Sequence, residues 1–189
     1  MEAVFTLPYS EYMVINHMQK IFKKGDGYSI YMPVSRQQKG VDFILHNSRN
    51  NKILRFQVKS SRAYIDDPKI LKNGKIKTSE FKYYLWLSNF VEKYNPGNAD
   101  YYIIYGLFPV YKGKINEKNK CWKSLYLCYK EQEMFGFLER VVSKENKIQP
   151  YFSYGFNNDK QIFSTRGSNE EASQYLLKNK IEEIKQEIQ

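Results

Sequence analysis

Gly40-Val41-Asp42-Phe43-Ile44-Leu45-His46 and Ile53-Leu54-Arg55-Phe56-Gln57-Val58-Lys59 are the two runs whose reading decides the fold. Both are rich in large and β-branched apolar residues, and the stretch 47–52 between them is turn chemistry. The pair therefore predicts a β-hairpin with strands over 41–46 and 53–59. Asp42 sits at the start of the first strand. Gln57 and Lys59 stand two positions apart on the second and share one face, while Phe56 and Val58 take the other. The 15 residues from Asp42 to Gln57 suit a hairpin that brings these polar groups together. A Gln and a Lys on one face of an otherwise apolar strand need a chemical reason to be there.

Upstream, the spacing predicts a helix over about 9–24. Pro8 suits its first turn, and Gly25-Asp26-Gly27 stops it. Met13, Val14, Ile15, Met18, Ile21 and Phe22 form a broad apolar face. Glu11 precedes Ile15, Met18 and Phe22 by four, seven and eleven residues. It therefore lies on that stripe, with its carboxylate expected to point toward the sheet. A buried carboxylate is costly unless it is paired or coordinates a metal. A short strand is expected over 28–34, then a polar, basic loop over 35–40 that carries Arg36 and Lys39.

Downstream of the hairpin, a polar loop is expected after Ser60-Ser61, containing Asp66-Asp67-Pro68 and Asn73-Gly74. Residues 80–87 read as a strand, although 84–94 fit a helix equally well. Asn95-Pro96-Gly97 is a turn, and 101–110 is the most apolar segment and the expected central strand. A basic loop over 112–123, a strand over 124–129, a helix over 131–142 and an aromatic hairpin over 151–163 follow. Ser168 and Glu171 form a capping box that opens a helix running nearly to Gln189. The element order predicts one α/β or α+β domain spanning 1–189. Its core lies over about 8–110, with further strands and a helix over 111–189.

The chain has 189 residues, 42% hydrophobic and 26% charged, ordinary globular usage that argues against disorder. No apolar run approaches the roughly 20 residues of a membrane span. The opening Met-Glu-Ala-Val-Phe lacks the basic region and apolar stretch of a signal peptide, so a soluble, cytoplasmic protein is expected. Cys121 and Cys128 are too few for a disulfide framework, and with no His nearby they do not read as a zinc site. The formal net charge is +10, and residues 1–150 hold 25 Lys and Arg against 14 Asp and Glu. A polyanionic partner follows, because neutralised phosphates release counterions and drive association. The 17 tyrosines fit base stacking and amphipathic strands equally. His17 reads as a helix-surface residue, His46 as a satisfied strand-edge residue, and Thr165-Arg166-Gly167 as a surface turn.

Glu11 on the first helix, then Gly40-Val41-Asp42, then Gln57-Val58-Lys59 resembles the PD-(D/E)XK nuclease superfamily over roughly residues 8–61. The resemblance implies a restriction-endonuclease-like α/β core, a central mixed sheet flanked by helices that presents these residues at a fork between two strands. It implies that Asp42 bridges Mg²⁺, that Gln57 and the Val58 carbonyl complete the metal site, and that Glu11 joins them directly or through water. Lys59 would orient and help deprotonate the attacking water. Arg36, Lys39, Ser60 and Ser61 would hold the nucleic-acid backbone. Val41 stands where the family has its eponymous proline, and Gln57 where it has a second acid. An amide oxygen is still a hard ligand for Mg²⁺, and Glu11 with Asp42 favours one ion over two. The implied activity is Mg²⁺-dependent hydrolysis of DNA phosphodiesters, as in a type II restriction endonuclease acting on double-stranded DNA as a homodimer. Its rivals are a nucleic-acid-binding protein of the same fold with weak or no cleavage, and a basic structural or RNA-associated factor.

Overall fold

The computed structural model describes residues 7–33, 40–65, 69–70, 76–77, 80–88, 90, 94–111, 120–143, 151–165 and 170–189. In chain order these form α1 (Leu7–Ile21), β1 (Tyr28–Tyr31), β2 (Phe43–Asn47), β3 (Lys52–Ile65), β4 (Lys69–Ile70), β5 (Ile76–Lys77), β6 (Tyr83–Ser88), β7 (Tyr101–Tyr111), β8 (Lys120–Lys130), α2 (Glu131–Ser143), β9 (Tyr151–Phe156), β10 (Ile162–Ser164) and α3 (Leu177–Ile188). The fold is α/β. Among the described residues, eight strands join one mostly antiparallel sheet, and β4 and β5 pair separately.

β3 organises the sheet. Its first third pairs antiparallel with β2, from Asn47 opposite Lys52 to Phe43 opposite Phe56. Residues 56–62 run parallel to β7, and residues 63–65 pair antiparallel with β6. β1 extends the β2 side, β8 lies along the whole of β7, and β9 and β10 continue from β6. The expected hairpin is present, and Asn51 takes the left-handed conformation (φ 60°) in its turn, a position Asn tolerates.

Alternation along the strands divides the interior in two. Leu54, Phe56 and Val58 of β3 join Tyr101 and Ile103 of β7 beneath Val14, Ile15, Met18 and Phe22 of α1. Leu177, Ile181, Ile184 and Ile188 of α3 cover the same face. On the opposite face Tyr102, Ile104, Leu127 and Tyr129 meet Met134, Phe137 and Leu138 of α2. Leu85 of β6 with Tyr154 and Phe156 of β9 complete that cluster. Each fully buried side chain of this size contributes about 1.5–3 kcal/mol. Among the described residues no helix is long and apolar enough to cross a membrane.

Three expectations need correction. β3 does not end at Lys59: Ser60, Ser61 and Arg62 continue it, because β7 offers a parallel edge that satisfies their backbone groups. Lys120 to Lys123 lie in β8, paired against Phe108 to Tyr111, not in a loop. α3 begins at Leu177, not beside Ser168, which lies outside the described residues along with Asp66, Asp67, Asn73 and Gly74. Backbone bonds from Ser164 N–H to Glu170 C=O and from Ala172 N–H to Ile162 C=O hold 170–172 extended against β10. Glu171 forms a bridge to Phe163 there. The segment 80–87, legible either way, is a strand.

Two polar devices fix α3. Lys180 Nζ bonds the carboxylates of Glu133 and Glu183, and Lys130 Nζ reaches Glu183 at 3.0 Å and Glu187 at 2.9 Å. Tyr101 Oη donates to Glu187 Oε2 at 2.6 Å. Burial pushes the Glu183 carboxyl up, but the two lysines outweigh it and hold it below the ordinary range. Burial likewise opposes the Lys180 charge, yet its two carboxylates raise it overall. At the far end of α3, the side-chain amides of Asn47 and Asn50 each donate to the Ile188 carbonyl at 3.0 Å. They clasp the last turn of the helix to the β2–β3 hairpin and satisfy a helix-terminal acceptor.

Candidate active site

The site is built where β2 stops. Its last paired residue, Phe43, faces Phe56, and one step beyond it Asp42 N–H donates to the Phe56 carbonyl at 2.8 Å. The Asp42 side chain then takes the place of the next rung, with Oδ2 accepting from Val58 N–H at 2.6 Å. Such charge-assisted bonds are short and strong. The turn that delivers Asp42 starts at Gly40, whose φ is +105° and where a Cβ would lie 2.7 Å from the Asn98 side chain. Any other residue would be strained and would strike Asn98.

N–H and C=O of one strand residue point to the same edge. Val58, whose N–H meets Asp42, therefore also turns its carbonyl to the Asp42 side. The alternate residues Gln57 and Lys59 direct their backbone groups to β7, opposite Tyr102 and Ile104. From 57 to 62, β7 is the strand partner of β3 among the described residues. The edge away from β7 is thus a gap between the end of β2 and the first β6 rung at Ala63.

The candidate side chains lie on two faces of the sheet. Glu11 is partly buried on α1, one turn before Ile15, and α1 covers the Phe56 and Val58 face. Gln57 and Lys59 occupy the opposite face, and Lys59 Nζ lies 5.9 Å from the centroid of the Phe90 ring. Asp42 stands at the strand edge where the two faces meet. Gln57 is only 8% exposed, and among the described residues its carboxamide has no hydrogen-bond partner. Its polar atoms are not among the buried unpartnered ones, so the carboxamide meets solvent rather than standing unsatisfied. The Asp42 carboxylate, the Val58 carbonyl and the Gln57 amide are all hard oxygen donors suited to Mg²⁺. Among the described residues no three His, Cys, Asp or Glu side chains form a metal-ligand group; this set holds two acids and relies on an amide and a carbonyl for the rest.

Other expected contributors fare differently. Arg36 and Lys39 lie outside the described residues. Ser60 is partly exposed on the α1 face, opposite Tyr105. The Ser61 hydroxyl accepts from Trp86 N–H at 3.2 Å and donates to the Arg62 carbonyl at 3.1 Å, tying β3 to β6. His46 departs from the satisfied edge residue expected of it: its Nδ1 is buried with no partner among the described residues. His17 stacks on Tyr126 at 4.5 Å, and burial and then Lys20 lower its pKa. Cys121 is an exposed thiol and Cys128 a buried one, neither in a disulfide. Thr165 Oγ1 pairs with Ser153 Oγ at 2.5 Å.

Phe90 and Asn98 were not singled out from the sequence. No spacing ties Asn98 to Gly40, and only the Asn95-Pro96-Gly97 turn beside it hints at a fixed loop. Compared with protein-family models, with curated proteins and with solved structures, the chain matches none.

Proposed function

We propose that the chain is a Mg²⁺-dependent nuclease that hydrolyses DNA phosphodiester bonds, built on a restriction-endonuclease-like core. The observation that supports this reading is the stopped edge beside β3, where Asp42 bonds Val58 N–H and the Val58 carbonyl turns the same way, with Gln57 and Lys59 next to Val58 in the strand. The basic balance of the chain supports a polyanionic substrate. A bound Mg²⁺ would polarise the phosphoryl oxygen and lower the pKa of a coordinated water. Asp42, Gln57, the Val58 carbonyl and Glu11 would hold it. Lys59, on the Gln57 face, orients the attacking water and stabilises the charge that develops on the phosphoryl group. Asp42 does double duty, since the carboxylate that closes the strand edge also carries the site's charge. Two such sites, in a homodimer, would cut both strands of a duplex.

A second reading, a nucleic-acid-binding protein of the same fold that does not cleave, draws on one observation. Asp42 Oδ2 is already engaged by Val58 N–H, and Gln57 contributes no charge. Plasmid cleavage with Mg²⁺, with and without EDTA, separates the two. The nuclease reading expects cleavage that EDTA, Asp42→Asn and Lys59→Ala each abolish. Cleavage that survives both substitutions sinks the proposed site, and salt-sensitive DNA binding without cleavage favours the second reading.

A further inference from the structure

Beyond the first turn of α1, no other helix among the described residues covers the continuation of the sheet face on which it lies. Tyr9, in that first turn, is an electrostatic neighbour of Tyr105 and Tyr126, which mark where the helix ends over the sheet. The next rung on that face is Arg62 opposite Leu107 opposite Ser124, and past it Pro109 faces Trp122 and Tyr111 faces Lys120. Leu107 packs on the α1-side cluster, which assigns Arg62 and Trp122 to that side. On the other ladder Tyr64 lies directly opposite Tyr84, so Tyr84 and Trp86 share its face. The result is a row of rings turned outward: Tyr64 is 62% exposed, Trp122 49% and Trp86 36%. Cations are interleaved with them, since Arg62 is exposed and Lys120 Nζ stands 4.8 Å from the Trp122 ring centroid. Of the β3 cations, Lys52 and Arg62 share the strand parity of Tyr64, while Arg55 and Lys59 take the opposite face.

Aromatic residues are common in strands, but in a soluble fold they ordinarily turn their rings inward. Here they turn out, Tyr64 on the strand that also carries Gln57 and Lys59, and Trp86 and Trp122 on β6 and β8. A duplex keeps its base faces stacked inside and offers phosphates and groove edges, neither of which needs an exposed ring to stack on. Unpaired bases offer π-faces that stack on exposed Tyr and Trp while Arg and Lys take the backbone.

We propose that this face is a stacking platform for single-stranded nucleic acid, and that it delivers an unpaired segment to the gap beside Val58. The proposal rests on the nuclease reading for the fate of the strand, not for its binding. The protein thus acts on single-stranded stretches or the unpaired arms of branched substrates in preference to continuous duplex.

The test is fluorescence anisotropy of the full chain in EDTA, where no metal-dependent cleavage occurs. The probes are labelled oligo-dT, oligo-rU and a mixed-sequence duplex of about 20 residues, long enough to cross one sheet face. The platform expects single strands to bind at least about tenfold tighter than duplex. Tyr64→Ala and Trp122→Ala should each weaken binding about tenfold, as loss of one stacked base does. Tyr64→Phe and Trp122→Phe, which keep a ring, should bind nearly as wild type. The ratio of oligo-dT to oligo-rU binding tells DNA from RNA. Equal or tighter binding of duplex, no binding of any oligonucleotide, or unchanged affinity in both alanine variants overturns the platform. If single strands bind in this way while wild type shows no Mg²⁺-dependent cleavage of the same oligonucleotides, the platform stands and the nuclease reading falls.

Discussion

At the Tyr101–Lys130 end of the β7–β8 ladder, charges meet charges. Lys180 is bracketed by Glu133 and Glu183, Lys130 by Glu183 and Glu187, and the Tyr101 hydroxyl is held by Glu187. Beside Val58, on the neighbouring strand, a nearly buried amide has no partner among the described residues, and a carboxylate closes a strand edge that a backbone rung would close more simply. Both clusters are polar groups set against an apolar sheet. The first is saturated within the protein, as a group that only holds helices together should be. In the second, the Gln57 carboxamide meets solvent rather than a protein partner. The difference is the one expected between a polar cluster that maintains the fold and the ligand site proposed above.

The largest effect expected from breaking that contrast is at Asp42. Asp42→Asn keeps an oxygen for Val58 N–H and removes the charge. Cleavage of plasmid DNA should fall by at least about 10²-fold, the scale of losing one preorganised electrostatic group, while the melting temperature barely moves. A variant that melts early and cleaves normally would make Asp42 a structural cap and nothing more. Lys180→Met should show the opposite pattern. Removing the cation leaves Glu133 and Glu183 uncompensated, and because both are partly solvated the cost is about 2 kcal/mol, below the range for a fully buried pair. Urea melts should register it, with cleavage per folded molecule unchanged.

A finer probe is Gln57→Glu. Adding a carboxylate at the gap should move the midpoint of Mg²⁺ activation to lower concentration, by severalfold, because the donor set gains a charge. An unmoved midpoint would remove Gln57 from the metal's surroundings. The smallest effect is with pH. The Glu183 carboxyl is held below its ordinary 4.5, so its contribution to stability is full above that value and fades as pH falls through the depressed one. Lys180 is raised above its ordinary 10.5, so its share is full below that pH and is lost only as pH climbs through the raised value. The protection factors of α3 amides, corrected for the intrinsic pH dependence of exchange, should therefore be largest between about pH 5 and 10 and fall in acid. Acid-insensitive protection factors would mean the network adds nothing to the docking of α3.

Where a segment's structure follows from its own periodicity, it was legible. The hairpin, α1, the apolar run of β7 and the helix after Lys130 all carry their pattern in consecutive side chains. The extension of β3 through Ile65 was not, because Ser60, Ser61 and Arg62 become strand only through the edge that β7 supplies from some forty residues away. The start of α3 was hidden for the same reason, since residues 170–172 obey β10 rather than a capping rule. Spacing named Asp42, Gln57 and Lys59 as a set. It could not show that Asp42 would bond Val58 N–H, nor that Asn98 would press on Gly40, because both depend on loop geometry rather than local pattern.

The clasp between Asn47, Asn50 and the Ile188 carbonyl has a consequence for synthesis. The first hairpin leaves the ribosome early, but the α1 face stays unfinished until Ile181, Ile184 and Ile188 have followed. Contacts this distant in sequence form late. Through most of translation the gap beside Val58 would therefore lack a rigid frame, and a chain truncated before α3 would bare apolar surface and invite proteolysis. The proposed site would gain its frame only once α3 has docked against the hairpin.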